Sequence, residues 1–179
     1  VRTFLEELNS KIIAPIKVIE NDDWEKANGF SVLKAKKILD EPFLLLMGDH
    51  LFDPDIALKM IEFPLTNDEI ALAVDQDLKN PMVDMDDVTR VMAKDGLIRK
   101  IGKGIKEYNC FDTGIFLCNP ILFSALEQSV RETGDDSLSG GIRILAGKGQ
   151  VHAVPIDGRF WIDIDDPERY KQAESYLLS

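Results

Sequence analysis

Residues 43–47 are five successive apolar side chains (Phe-Leu-Leu-Leu-Met) that run straight into Gly48-Asp49-His50, and this stretch limits the architecture more than any other. A run of this length suits a strand covered on both faces better than a buried helix. It stops abruptly, and a helical pattern then opens at Asp53-Pro54. That order predicts a central parallel strand that carries the Asp49 carboxylate to the C-terminal edge of a sheet, where open α/β sheets bind ligands. The alternative role, a turn cap, suits Asp53 better than Asp49.

The rest of the chain supplies partners for such a strand. Residues 69–74 form a second apolar run that also ends on an acid, Asp75. Residues 88–93 and 97–101 read as a hairpin about Lys94-Asp95-Gly96. Further strands are predicted at 16–19, 111–118, 151–156 and 160–164. Helical spacing occurs at 1–8, from Asn28 to Leu39, and at 54–63. It recurs behind Asn119-Pro120, from Ser137 to a stop at Gly147-Lys148-Gly149, and after Asp166-Pro167. Alternation of helix and strand over residues 1–179 predicts one α/β domain with a mixed, mainly parallel sheet and helices on both faces.

Charge and cysteine usage narrow the function classes. The formal charge of −11 argues against nucleic acid as a partner, because a phosphate backbone calls for a basic surface. A phosphorylated small molecule needs only a local cation or a metal ion. No apolar run approaches the ~20 residues of a spanning helix, so no membrane contact is expected of this chain itself. Cys110 and Cys118 lack the neighbours of a zinc site and suit buried thiols in a reducing, cytoplasmic setting. The two histidines, His50 and His152, lie in no motif, and His152 alternates as a strand residue.

Four stretches offer chemistry. In Trp161-Ile162-Asp163-Ile164-Asp165-Asp166, strand alternation sets Asp163 and Asp165 on one face with Trp161. Two acids on one strand face are costly to bury without a cation, and magnesium, with oxygen ligands, answers that cost. Asp166 reads instead as a helix cap. Lys103, between Gly102 and Gly104, suits a phosphate or a merely solvated turn. Asp112-Thr113-Gly114 interrupts an apolar strand, either to recognise hydroxyls or as a bulge. Asn28-Gly29-Phe30-Ser31 opens a helix with free amides that suit a base, a phosphate or plain capping.

In order and spacing, these stretches carry a resemblance across essentially the whole chain, together with Met47-Gly48-Asp49-His50, Asp84-Met85-Asp86-Asp87-Val88-Thr89-Arg90-Val91 and Ser137-Leu138-Ser139. They resemble the nucleotidyltransferases of the nucleotide-diphospho-sugar transferase type, with a GT-A-like, Rossmann-type fold. Most of all they are similar to the CTP:inositol-1-phosphate cytidylyltransferase group, often the soluble part of bifunctional di-myo-inositol-phosphate-phosphate synthases. The resemblance implies that Asp49 and Asp163 hold Mg2+ and, with Lys103, form the catalytic set. It places Asn28, Gly29, Ser31, Gly48 and Asp49 near the nucleotide. Lys103 would meet the acceptor phosphate, and Asp112, Thr113 and Asp165 the polyol. Thr89 and Arg90 sit in a family motif without an assigned contact.

Gly102-Lys103-Gly104 stands where sugar-phosphate members have Glu-Lys-Pro, and Ile164-Asp165 follows the Trp-x-Asp element. Both features favour an inositol-like acceptor over a hexose. The family's first strand, with its Gly-x-Gly-x-Arg loop and lysine, would precede Val1, so this stretch alone is expected to bind CTP poorly. The rival readings are a sugar-1-phosphate or phosphocholine nucleotidyltransferase and a non-catalytic, degenerate module. A membrane synthase half fused in the parent protein is compatible with all of this.

Overall fold

Caps written in the sequence start several of the helices. The computed structural model describes residues 2–178. It begins with α1 (Arg2–Asn9), α2 (Asn28–Lys34) and a 3-10 turn at Ala35–Lys37. Strands β1 (Phe43–Leu46) and β2 (His50–Phe52) precede α3 (Pro54–Ile61), whose Asp53 cap accepts from the Asp55 amide. Next come β3 (Ile70–Asp75), the hairpin β4 (Arg90–Lys94) and β5 (Leu97–Gly102), and the long β6 (Cys110–Cys118). Helices α4 (Ile121–Thr133) and α5 (Leu138–Gly147) follow, α5 capped by Ser137. Strands β7 (Val151–Pro155) and β8 (Trp161–Asp163) lead to α6 (Pro167–Leu177), capped by Asp166.

The main sheet has the order β1-β6-β3-β7-β5-β4, with β4 also pairing the start of β6. Its mixed character and its helices on both faces agree with the sequence reading, but parallel pairing does not dominate. Among the described residues only β3 and β7 run parallel; the other ladders are antiparallel. Nor is β1 central. It pairs with β6 alone, at the sheet edge, and its residues are half-buried or exposed. The side chains of the 43–47 run do serve both layers: Phe43, Leu45 and Met47 pack on the core beside α4, with Phe43 stacked on Phe123 at 5.6 Å, and Leu44 packs on the core beside α3. Residues 16–19 form no strand; Val18 and Ile19 are exposed.

Alternation along the core strands divides the interior in two. Ile70, Leu72 and Val74 face α4 and α5, while Ala71 and Ala73 face Ile56 and Met60 of α3. A buried carboxylate ties the second layer to β8. Asp75 accepts from the Trp161 Nε1–H at 2.9 Å, from the Asn80 side chain at 2.7 Å and from the Asp77 amide at 2.9 Å. These bonds hold both β8 and the turn at 77–80 against the end of β3.

Candidate functional site

Strands β2 and β8 form an antiparallel pair in which His50 lies opposite Asp163 and Phe52 opposite Trp161. Asp49 precedes this register, and its carbonyl accepts from the Ile164 amide at 2.9 Å. Two carboxylates distant in sequence thereby meet at one rim of the molecule. The ligand atoms of Asp49, His50 and Asp163 lie within 4.8 Å of one another, as do those of Asp87, Asp163 and Asp165. Asp163 Oδ1 is buried without a hydrogen-bond partner among the described residues. A buried oxygen with nothing to accept from is costly. A divalent cation satisfies it, and oxygen-rich donors of this kind fit one.

The acids open onto a cavity of about 260 Å3. Asn28, Asp49, Lys103, Asp112, Asp163 and Asp165 all line it. Other site residues expected from the sequence do not. Gly29 is buried under α5, where a Cβ would stand 2.6 Å from the Asp136 carbonyl oxygen, so it serves the close contact of α2 with α5. The Ser31 hydroxyl accepts from the Asn21 amide on the surface. Gly48 is exposed beside Asp49 and off the lining. Thr113 is fully buried and its hydroxyl donates to the Ala73 carbonyl at 2.8 Å, because strand alternation turns it away from Asp112.

Sequence reasoning missed His50, Asp87 and Arg169. Lys103 Nζ pairs with Asp87 at 2.6 Å. Arg169, in the first turn of α6, donates to the Met82 carbonyl at 3.1 Å and so fixes Met82 and Val83 in the cavity lining. Only the acidic run at 84–87 hinted at the lysine's partner. Arg90 lies over the Tyr108 ring at 5.2 Å and donates to the carbonyls of Lys103 and Met85, bracing the loops on either side. Among the described residues the lining has many more aspartates than cations, which are Lys103 and Arg169 alone. A metal ion would offset the repulsion that an anionic phosphate meets among these carboxylates.

The bulge in β6 makes room for this arrangement. Gly114 sits at φ +72°, its amide donates to Asp112 Oδ1 at 2.8 Å, and the β3–β6 register shifts beside it. A Cβ there would lie 2.7 Å from His50 Cδ2 and 2.8 Å from Met47 Cγ. Gly114→Ala should therefore lower stability by about 1–2 kcal/mol from backbone conformation alone. It should also displace the His50 ring, seen as a changed imidazole resonance; an unmoved resonance and urea midpoint would contradict this packing.

Burial pushes Asp163 up to about 6; repulsion from Asp165, Asp49 and Asp87 adds to it, and His50 opposes it. Burial also pushes Asp112 up to about 6, although the Gly114 amide and His50 hold it down. An unfolded aspartate ionises near about 4. As pH rises the unfolded chain releases these protons first, so stability should fall between about pH 4 and about pH 6 and level off above. Thermal melts without divalent cation should show this fall. Added cation should reverse it at pH 7 and bind more weakly below about pH 6.

The sheet with its helices on both faces gives the chain an α/β, nucleotide-sugar transferase-like fold. Its fold is shared with the inositol-1-phosphate CTP transferase from T. maritima, at a TM-score of 0.85 and 29% identity, covering 99% of this chain and 71% of that one. The bifunctional IPC transferase and DIPP synthase of Aquifex aeolicus is 30% identical over 179 residues, 99% of this chain and 38% of its own length. The protein of the same name from Archaeoglobus fulgidus is 29% identical over 163 residues, 91% of this chain and 31% of its own. These proteins are homologues of the chain, and the resemblance carried by its motifs is borne out. The chain spans about a third of the length of these curated relatives. No protein-family model matches it.

Proposed function

We propose that this chain forms the transfer site of a cytidylyltransferase, which moves the cytidylyl group of CTP to inositol-1-phosphate and releases pyrophosphate. The observation that carries the reading is the meeting of Asp49 and Asp163, whose Oδ1 lacks a partner. It lies in a fold shared with a protein named for that reaction.

Asp49 and Asp163 would hold Mg2+, which when bound neutralises phosphate charge. The acceptor phosphate is anionic near neutral pH, so its oxygen attacks the α-phosphorus in line with no general base, and pyrophosphate departs. The chain's own contribution is then positioning and charge. Lys103 exchanges its Asp87 partner for the acceptor phosphate. Asp112 and Asp165 accept from the polyol hydroxyls. The Asn28 side-chain oxygen is committed to the Leu138 amide at 2.9 Å, which leaves its NH2 group to face the nucleotide. The parent protein would add a synthase activity, in keeping with the bifunctional relatives, and act in the cytoplasm, in keeping with two buried free thiols.

The test is pyrophosphate release by the full-length protein across CTP, UTP, GTP and ATP, each with inositol-1-phosphate, glucose-1-phosphate or phosphocholine. CTP with inositol-1-phosphate should give the fastest turnover. Preference for a hexose phosphate or phosphocholine would overturn the acceptor, and absence of turnover with every pair would make the chain a non-catalytic module.

A further inference from the structure

We propose that His50 is a third protein ligand of the cation held by Asp49 and Asp163, binding through Nδ1. The inference rests on the cation reading above and extends it to a nitrogen donor. His50 Nδ1 lies 2.9 Å from Asp49 Oδ1 and 3.5 Å from Asp163 Oδ1. In a six-coordinate ion with bonds of about 2.1 Å, neighbouring ligand atoms stand about 3 Å apart. The two distances from Nδ1 are close to that spacing, and all three residues bring a ligand atom within 4.8 Å of the others.

The ring is held in this orientation by its surroundings. Its Cδ2 and Nε2 edge lies against Gly114, where a Cβ would come within 2.8 Å. Its face stacks on Trp161 at 6.2 Å between centroids, with planes 27° apart. The indole is fixed in turn by Asp75. The side chain is only 12% exposed, so the nitrogen that faces the acids is presented to the cavity and not to bulk water. Asp163 Oδ1 gains no hydrogen bond from it. The 2.9 Å contact with Asp49 is of hydrogen-bond length, and a shared cation would stand in place of that proton while satisfying Asp163 Oδ1 as well.

A nitrogen ligand has a consequence for metal choice. Imidazole suits Co2+ and the later divalent metals better than it suits Mg2+, which prefers oxygen throughout. Mn2+, lowest in the transition series, binds through mixed oxygen and nitrogen sets more weakly than Co2+. The site should therefore bind Co2+ well ahead of Mg2+.

Mn2+ bound to the chain provides the test, because pulsed electron paramagnetic resonance detects a directly coordinated nitrogen. The chain has two histidines, and His152 is paired with Glu69 at 3.2 Å away from the cavity lining. Wild type and His152→Phe should show nitrogen coupling, changed by 15N-histidine labelling. His50→Phe keeps an aromatic ring on Trp161 and should lose the coupling, with Mn2+ affinity lowered at least about tenfold and Mg2+ affinity lowered less. If His50→Phe fails to fold, labelled His152→Phe alone assigns the nitrogen. Mn2+ bound without nitrogen coupling would overturn the histidine ligand and leave the acid pair standing. No Mn2+ binding at all would overturn both.

Discussion

Asp163→Ala in the full-length protein should lower turnover by about a hundredfold or more, about 3 kcal/mol in the barrier, and Asp49→Ala should act alike. Either change removes one of the two carboxylates that converge at the rim. The variants should also bind Mn2+ weakly. Loss of the fold would not explain the result for Asp163→Ala. Its carboxyl is pushed up to about 6 by burial, so its removal relieves a cost above that pH. The expected signature is a melting temperature in chelator at pH 7 equal to or above wild type, with activity lost. Pyrophosphate release at wild-type rates in both variants would remove the cation assignment.

Asp75→Ala should act on the fold itself. The carboxylate is 2% exposed and takes three donors, from Trp161, Asn80 and the Asp77 amide. Its truncation strands the indole N–H in the interior and frees the half-buried asparagine amide and the turn it holds, at a cost of about 3 kcal/mol. For a chain of this size the melting temperature should drop by roughly 6–12 °C. The same change frees β8, so cation affinity should fall although Asp75 touches no cation ligand. A drop in stability with unchanged cation affinity would show that β8 holds its place without this anchor.

The two predictions differ in how visible their residues are in the sequence. Asp49 and Asp163 each end or interrupt an apolar run, and that break in pattern is enough to mark a polar group at a strand end. The Asp53 and Asp166 caps are equally visible, because a cap with a following proline is a local signal. The β4–β5 turn is visible for the same reason, with Asp95 and Gly96 both at positive φ.

What was not legible depends on partners chosen by tertiary structure. Strand β2 has three residues, too few to show a period, yet its pairing with β8 builds the site. His50 gains its importance only from that pairing. The apolar run of 43–47 could not report that β1 lies at an edge beside β6, since a strand covered on both faces has the same composition at the edge as at the centre. Thr113 shows the limit of a motif: adjacent polar residues on a strand point to opposite sides, so Asp112 lines the cavity while its neighbour joins the core.

The β2–β8 ribbon has a mechanical consequence. Its strands come from distant parts of the chain, and a cation at its end staples them together as a reversible crosslink. Ligation at a hundred times the dissociation constant adds about 2.7 kcal/mol to the folded state. That gain should appear first as slowed hydrogen exchange in β8 and the terminal helix, so the tail of the domain tightens whenever its rim is occupied.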